Sequence, residues 1–310
     1  MDTNIIQRIS TNENIDLSLL TFEELNRLQF EEEVSAAQKI LATDPFSKER
    51  DMLMKKGYGI VHTIMHEKAL RKNSSIDSYG AGKISCQLVK NLIGNYKKQT
   101  NKDHIVFYEA GVGMGIVINS LLENCFIQIK GCDISLNNKL KENPRFELHE
   151  GTIFDSLSRL EDESIDVFYW NDVFEHLLDD EINEYMKLIY RKIAKGGIIV
   201  TITPNRLIGP SDISRDFCPH GSKAKGFHFH EYTHFELKKL FLSYGFKNDY
   251  PILKNPIKRN YVIVPKNWLY SGIIEFVRFI AESLAFSIYP WSLRKAVING
   301  LGCQVSVFKK

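Results

Sequence analysis

The chain has 310 residues, of which 44% are hydrophobic and 25% are charged, so it is long and apolar enough to bury a large core. Its 40 basic and 38 acidic residues nearly cancel, and this balance does not favour nucleic acid as the partner. Five scattered cysteines without a C-x-x-C spacing argue against a disulfide framework. Because no secretory signal is visible either, we predict a cytoplasmic protein.

Helical patterns fill the first zone of the chain, residues 1–100. Thr21 and Glu24 have the spacing of a capping box, which predicts a helix that runs through Leu41. The sequence D-P-F at 44–46 ends this helix and starts another. We therefore expect a helical extension or cap before the core of the protein.

Two further helical segments complete this zone. Glycines stand on both sides of Tyr58 and predict a break in the chain before an apolar-periodic segment at 60–70. A last helix begins near Gly82 and runs to about Ile93. It leads towards the second zone.

The second zone, residues 101–253, alternates short apolar runs with helical patterns. Its β-type runs are I-V-F-Y-E at 105–109, F-I-Q-I-K-G-C-D at 126–133, F-E-L-H at 146–149, I-D-V-F-Y-W at 165–170 and G-I-I-V-T-I-T at 197–203. The segment at 180–193 keeps a helical period of 3.6 residues. This alternation predicts an α/β fold with a Rossmann-like, mostly parallel sheet and helices on both faces.

The third zone, residues 254–310, predicts an apolar helical insertion and then a final strand at 304–308. Before it, Thr233 and Glu236 cap a helix that Gly245 closes, and a strand follows at 246–253.

The apolar insertion has its own pattern, from Trp268 to Tyr289. Glu275, Arg278 and Glu282 interrupt it at helical spacing and form a narrow polar stripe, which argues against a membrane-spanning segment. Basic residues flank it: Lys258, Arg259, Lys266, Arg294 and Lys295. The helix could pack against the core, join a homodimer or contact a membrane surface.

A glycine-rich turn, E-A-G-V-G-M-G at 109–115, follows the first strand of the second zone. Gly111, Gly113 and Gly115 would let the backbone turn sharply and approach a ligand closely. The dinucleotide fingerprint needs a further glycine at position 116, which is Ile. This departure disfavours a hydride-transferring oxidoreductase.

Two acids accompany this turn. Glu109 precedes the first glycine, and Asp133 ends the next strand. A methyl donor carries a cationic amino group where a dinucleotide carries a pyrophosphate, so Glu109 suits the donor. Asp133 is placed to accept both ribose hydroxyls, although it could also only cap a helix.

With these features, residues 79–250 resemble the class I S-adenosylmethionine-dependent methyltransferase family. The match is most similar to the small-molecule branch, which includes ubiquinone-type O-methyltransferases and enzymes that methylate glycans, and Glu175-His176-Leu177 is the shared element. The resemblance implies S-adenosylmethionine as cofactor. It implies these cofactor-binding residues: Glu109, Gly111, Gly113, Gly115, Asp133, Ile134, Thr152, Ile153, Asn171 and Asp172. Family members often have Asp where this chain has Thr152, so the adenine would be recognised by backbone near Thr152 and Ile153 or by Asp155.

The acceptor would lie beyond the ends of the fourth and fifth strands. The long irregular segment 205–231 is typical of a binding site, and its predicted acceptor-binding residues are Asn205, Arg206, Asp212 and His228. His176 and His230 are the candidate bases, with Glu231 as an orienting or alternative base. Each could instead be structural.

We therefore predict methyl transfer to a hydroxyl of a small-molecule, glycan or lipid-linked acceptor. The alternatives are N-methylation of an amino sugar or other amine, and a non-catalytic methyltransferase-like scaffold. H-E-Y-T-H at 230–234 matches a zinc-protease pattern, but the predicted helix starts at His234 and leaves His230 in a loop. Histidines near Cys218 have irregular spacing, so no metal site is predicted.

Overall fold

The structure, a computed structural model, describes residues 16–71, 82–248, 250–255, 260–264, 267–288 and 290–310. Its helices are α1 (Phe22–Leu41), α2 (Lys48–Arg71), α3 (Gly82–Thr100), α4 (Ile116–Leu121), α5 (Asn138–Lys141), α6 (Ile153–Ser158), α7 (Ile182–Lys192), α8 (His234–Ser243), α9 (Trp268–Ser283) and α10 (Trp291–Gly300). Its strands are β1 (Ile105–Ala110), β2 (Ile127–Asp133), β3 (Phe146–Glu150), β4 (Ile165–Asn171), β5 (Ile193–Ile202), β6 (Lys247–Asn248), β7 (Ile252–Asn255), β8 (Asn260–Ile263) and β9 (Val305–Lys309).

Seven strands form one sheet in the order β3-β2-β1-β4-β5-β9-β6. The first five are parallel, and β9 runs antiparallel to β5 and β6. The chain order reverses between β1 and β4, and ligands of open α/β sheets bind beyond the carboxyl ends of the strands at such a point. The predicted Rossmann-like fold class is confirmed.

Helices cover both faces of this sheet. Buried side chains of α3 and α4 pack on one face, and those of α6, α7 and α8 pack on the other. In α7 the buried Ile182, Tyr185, Met186 and Ile189 follow the predicted helical period. Each large apolar side chain that becomes fully buried contributes about 1.5–3 kcal/mol to folding. This packing fixes the strand ends that carry the candidate site.

The predicted break around Tyr58 is wrong, because α2 is continuous from Lys48 to Arg71. A Cβ atom on Gly57 would lie 2.7 Å from Cζ of Phe227, whereas a Cβ on Gly59 would meet nothing within 4 Å. Gly57 therefore allows a distant aromatic ring to approach the helix. It does not end the helix.

The single strand predicted at 246–253 is divided in the structure. β6 lies at the edge of the main sheet, while β7 pairs with β8 in a separate two-stranded sheet. Pro251 stands between β6 and β7, and proline cannot donate a backbone hydrogen bond to a neighbouring strand. Among the predicted helices, α3 continues beyond Ile93 to Thr100.

The predicted polar stripe on α9 faces the protein, and the apolar side faces outward. Arg278 is 1% exposed and donates to the carbonyl of Leu301 at 2.9 Å, and Glu282 accepts from Nδ2 of Asn205 at 2.8 Å. The exposed side chains on the outer side are Leu269, Tyr270, Ile273, Phe276, Val277, Phe279 and Ile280. Within the described residues, no helix is both long enough and apolar enough to cross a membrane. Of the predicted flanking residues, Lys258, Arg259 and Lys266 lie outside the described residues, as does Tyr289 at the end of the insertion.

Candidate functional site

A cavity of about 400 Å³ lies beyond the carboxyl ends of the central strands, where the fold predicts a ligand. Its volume falls in the range of small-molecule sites, roughly 300–1,000 Å³. The predicted site residues that line it are Gly111, Gly113, Asp133, Ile134, Thr152, Ile153, Asn171, Asp172 and His176. Loops after β1, β2, β3 and β4 therefore converge on one cavity, as the sequence predicts.

The glycine turn is held against the end of β2. The backbone N–H of Gly113 donates to Oδ2 of Asp133 at 2.8 Å, and the N–H of Ser135 donates to Oδ1 of the same carboxylate at 3.0 Å. Gly113 has φ = +53°, a conformation that favours glycine, and a Cβ there would meet nothing within 4 Å. The turn thus presents bare backbone to open space in the cavity, and Asp133 fixes its position.

Glu109 is buried at the end of β1, with 5% of its surface exposed. Its Oε2 atom has no hydrogen-bond partner among the described residues. Burial raises the pKa of Glu109 well above its usual value, partly offset by a hydrogen bond from the backbone of Ile118. A buried carboxylate oxygen without a partner is costly unless a cation or donor group reaches it.

Two further segments complete this side of the cavity. Thr152 caps α6 by accepting from the N–H of Asp155 at 3.1 Å, and both Thr152 and Ile153 line the cavity. Nδ2 of Asn171 donates to Asp172 at 3.0 Å, while Oδ1 of Asn171 is buried without a partner among the described residues. Asp172 has φ = +53°, which is uncommon for a residue with a side chain and recurs at functional sites.

The opposite wall of the cavity comes from α2, which sequence reasoning missed. Arg50 is 2% exposed and binds Glu181 at 2.7 Å, which ties α2 to the segment before α7. Tyr58 lines the cavity, and its hydroxyl lies 2.8 Å from Nδ1 of His176. The only local signal was the pair of glycines around Tyr58. That pair predicts a break in the helix, which the structure does not have.

A buried cluster of acids and imidazoles lies beside this wall. One ligand atom each of Glu175, His176 and His228 lies within 4.8 Å of the others, an arrangement that could hold a metal ion. His228 Nδ1 lies 2.8 Å from Glu231, and its Nε2 lies 3.9 Å from Oε1 of Glu175. Thr203 donates its hydroxyl to Oε2 of Glu175 at 3.0 Å.

Burial and charge give these groups opposite protonation behaviour. Burial and the nearby charge of His228 lower the pKa of His176 to about 3, so His176 is neutral at pH 7. Burial alone would lower the pKa of His228, but the hydrogen bond to Glu231 and the charge of Glu175 raise it to about 9. Burial and the nearby charge of Asp172 raise the pKa of Glu175 to about 8. The cluster therefore combines a neutral acceptor with strongly shifted groups, as active sites often do.

Several predicted residues lie apart from the cavity lining. His230 binds Asp179 at 2.8 Å and stacks on Tyr232, with ring centroids 3.9 Å apart. Asn205 bonds to Glu282 and the Cys303 carbonyl, Arg206 pairs with Glu236, and Asp212 accepts from the N–H groups of Ser214 and Gly226. These contacts are structural. The catalytic role of His230 and the binding roles of Asn205, Arg206 and Asp212 remain predictions without support from the cavity.

The H-E-Y-T-H pattern does not form a protease site. Thr233 caps α8, which begins at His234, so His230 precedes the helix. His230 turns to Asp179, whereas Nε2 of His234 lies 3.4 Å from Glu275. The helix therefore starts where the sequence predicts, and the two histidines make different contacts.

Comparison with protein families identifies a domain in this chain. Residues 108–201, which span β1 to β5, match the family described as a methyltransferase domain. This part of the chain is therefore a methyltransferase domain. It is an enzyme, and S-adenosylmethionine is its cofactor. A search of curated proteins finds no match.

Solved structures similar to this methyltransferase have low sequence identity. A SAM-dependent methyltransferase from Archaeoglobus fulgidus is 18% identical, with 75% of this chain and 96% of that chain covered and a TM-score of 0.47. The 1,6-didemethyltoxoflavin-N1-methyltransferase of Burkholderia thailandensis is 13% identical, with coverages of 72% and 90% and a TM-score of 0.43. Phosphoethanolamine N-methyltransferase 2 of Haemonchus contortus is 13% identical, with a TM-score of 0.38; 67% of this chain and 48% of that chain are covered, so the match spans about half of that protein.

The residues of this methyltransferase fit its donor. The partnerless Oε2 atom of Glu109 suits the donor's ammonium group, and the open space at Gly113 leaves room for a ligand against the turn. Asp133 keeps carboxylate lone pairs free for ribose hydroxyls, because each of its oxygens accepts one backbone N–H. These individual roles stay predictions.

Proposed function

We propose that this methyltransferase modifies a hydroxyl group of a small-molecule or glycan acceptor. The observation that carries the proposal is the cluster of proton acceptors at the end of the cavity, where His176 lines the cavity beside buried Glu175. A hydroxyl must lose its proton as the methyl group arrives, whereas an amine needs mainly alignment of its lone pair. A cavity that ends in proton acceptors therefore favours a hydroxyl as the methyl acceptor.

When bound, the donor supplies a methyl group on a positively charged sulfur. The chain has to hold the donor, align the acceptor oxygen and provide a place for the proton. The carbonyl of Phe227 lies 2.8 Å from Nδ1 of His176 and can only accept, so Nδ1 carries the ring proton of this neutral histidine. Nε2 of His176 then has a free lone pair for the acceptor.

A donor-consumption screen tests the proposal. The purified protein is incubated with isotope-labelled S-adenosylmethionine and separate pools of glycans, quinols and amines, and mass spectrometry locates the added methyl group. We expect transfer to oxygen, and no transfer by Gly113→Val. Labelled methyl groups found only on nitrogen would establish the N-methyltransferase alternative. If no pool consumes S-adenosylmethionine, a binding scaffold is favoured.

We also propose that the outer side of α9 and α10 rests on a membrane surface, where a lipid-linked acceptor would be offered. Phe276 is 65% exposed, and Lys295 is the exposed charged side chain in the described part of these helices. Glu275 and Glu282 bind protein groups on the inner side. An apolar face with a cation and no outward acid suits an anionic lipid surface.

This surface also lies close to the acceptor segment. Side chains of α9 and α10 pack against Leu207 and Ile208, which follow β5. A Phe276→Glu variant should lose binding to vesicles of phosphatidylserine and phosphatidylcholine, whereas Leu19→Glu, at an 80% exposed apolar residue elsewhere, should keep it. If the wild-type protein does not bind vesicles but forms a dimer, and the Phe276→Glu variant is a monomer, this face contacts a second copy of the chain instead.

A further inference from the structure

Two buried nitrogen atoms near the start of α10 lack an acceptor. Among the described residues, Nε of Arg294 and Nε1 of Trp291 are the two buried side-chain nitrogens without a hydrogen-bond partner. The two residues are three positions apart, so their side chains leave the same face of α10. Both atoms can only donate a hydrogen bond. A buried donor without a partner is costly, and an acceptor bound at this point would remove that cost.

Arg294 differs from the other two buried arginines. The sequence predicts it as a basic residue beside the apolar insertion, but it is only 9% exposed, and its guanidinium makes one long hydrogen bond, from Nη1 to a backbone carbonyl at 3.4 Å. Arg50 pairs with Glu181, and Arg278 pairs with Glu275. Within the described part of the chain, no carboxylate pairs with Arg294. A buried guanidinium without an anion is costly.

An aromatic ring compensates for this burial only in part. The Phe286 ring centroid lies 4.9 Å from Cζ of Arg294, and such a contact attracts a cation to the face of the ring. The ring has no oxygen or nitrogen lone pair that could accept from Nε. An acceptor for this N–H group is therefore still missing.

The loop 219–222 packs against the same end of α10 and adds a third donor. The His220 ring stacks on Trp291 with ring centroids 4.0 Å apart, and Nη1 of Arg294 would lie 3.9 Å from a Cβ atom placed on Gly221. The Ser222 hydroxyl is also buried without a hydrogen-bond partner among the described residues. Gly221, Ser222 and Trp291 are half-buried as whole residues, so these donors lie close to the surface.

The first turn of α10 adds positive potential to this cluster. Pro290 stands at the cap position, where no side chain accepts a backbone N–H, and the first turn contains no acid. Nζ of Lys295 lies 4.7 Å from the centroid of the Trp291 ring. Free N–H groups at a helix N-terminus attract anions, and the lysine acts in the same direction.

We propose that Arg294, Trp291 and Ser222 bind a phosphate group at the start of α10. Phosphate carries several acceptor oxygens, and the Nε–H of arginine is half of the planar fork that binds such an oxyanion in a bidentate way. The phosphate enters as the exposed His220 ring rotates away from Trp291. The site goes beyond the proposed function and does not depend on a hydroxyl acceptor.

The phosphate group could be free in solution or carried by a lipid, since the exposed side chains of Phe286 and Leu293 lie beside Arg294. Calorimetry with the full chain distinguishes these sources. The probes are inorganic phosphate, dihexanoyl phosphatidic acid below its micelle concentration, and dihexanoylglycerol, which has the same chains without the phosphate.

We expect one phosphate-bearing probe to bind per chain and dihexanoylglycerol not to bind. Equal affinities for inorganic phosphate and phosphatidic acid would identify free phosphate as a sufficient ligand, and binding of phosphatidic acid alone would identify a lipid headgroup. The proposal is overturned if neither phosphate probe binds at millimolar concentration. It is also overturned if dihexanoylglycerol binds as well as phosphatidic acid, because the chains would then be the ligand.

Matched variants test the individual donors. Arg294→Gln should weaken binding of the phosphate probe by about 10–100-fold, because it removes hydrogen bonds from a charged group. Trp291→Phe keeps the ring but removes Nε1, and Ser222→Ala removes the hydroxyl, so each should weaken binding by about 2–10-fold. Arg159→Gln, at an exposed arginine just after α6, should bind as the wild type does.

A cooperative thermal unfolding transition shows that a variant is folded. Phosphate should raise the midpoint of this transition in the wild type and less in Arg294→Gln, since a ligand stabilises the state that binds it. If Arg294→Gln does not fold, Trp291→Phe and Ser222→Ala decide the outcome. Wild-type phosphate affinity in all the folded variants would contradict the assignment.

Vesicle binding separates this site from the membrane surface proposed above. If vesicles of phosphatidylserine and phosphatidylcholine bind the wild type and Arg294→Gln equally while neither soluble phosphate probe binds, the membrane surface stands and the phosphate site fails. If a soluble phosphate probe binds the wild type and not Arg294→Gln, but vesicles do not bind, the phosphate site stands and the membrane surface fails.

Discussion

The two halves of the cavity are built in different ways. The donor half consists mainly of backbone and short loops that directly follow β1, β2 and β3, with Gly113 and Asp133 at its centre. The acceptor half brings together Tyr58, His176 and His228, which come from α2, from the turn after β4 and from the segment after β5. A local motif can therefore specify donor binding, whereas the acceptor site exists only once the whole chain has folded.

The largest effect should come from filling the donor half. Gly113→Val adds a Cβ atom that would meet no protein atom within 4 Å at a residue that lines the cavity, so donor binding should become undetectable by calorimetry. Gly196→Val is a matched control. Gly196 also has a positive φ, +76°, but lies near the start of β5, away from the carboxyl ends of the strands. Equal donor affinities of the two variants would remove the glycine turn from the site.

A change in the acceptor half should instead affect turnover. His176→Ala should lower turnover by about 10²–10⁴-fold and leave donor affinity nearly unchanged, because His176 is the candidate base for the acceptor. Single-turnover rates and donor titrations measure the two effects separately. If donor affinity falls as far as turnover does, the division of the cavity into two halves is wrong.

Asp133→Ala should have a smaller effect on the donor. It removes an acceptor for the ribose hydroxyls and also the partner of the Gly113 N–H, so we expect binding to weaken by roughly 1.5–3 kcal/mol, about 10–150-fold. Calorimetry checks this, with Asp103→Asn in the exposed loop before β1 as control. Unchanged affinity would mean that Asp133 only caps its own loop.

The smallest effect should come from His230→Ala. His230 binds Asp179 and stacks on Tyr232, and it does not belong to the described cavity lining. We expect donor affinity and turnover within about twofold of the wild type, since surface substitutions away from a site usually change little. A turnover loss like that of His176→Ala would place His230 in the acceptor half after all.

Much of the fold was predictable because its signals are local. The strand runs, the capping boxes at Thr21 and Thr233, and the acids around the glycine turn all reflect neighbours along the chain. The errors have distant causes. Gly57 predicts a break because the ring that occupies the space beside it, Phe227, is far away in sequence.

The same reasoning applies to α9 and to His228. The spacing of Glu275, Arg278 and Glu282 predicts a polar stripe. It does not predict that the stripe faces the protein, where Glu282 accepts a hydrogen bond from Asn205 and Arg278 donates one to the Leu301 carbonyl. His228 was predicted to bind the acceptor. Its proximity to Glu175 depends on the path of the whole segment after β5, which has no periodic pattern to reveal it.

The position of β9 has a consequence for how the chain avoids aggregation. β5 carries the buried apolar run Ile198–Ile202, whose free edge would be a template for pairing with another chain. β9 covers that edge, and the sheet then ends at β6, a strand of only two residues. At the other edge, β3 carries Glu147 and Glu150. Both margins of the sheet are therefore short or charged, so a variant without β9 should aggregate through β5 even with its donor loop intact.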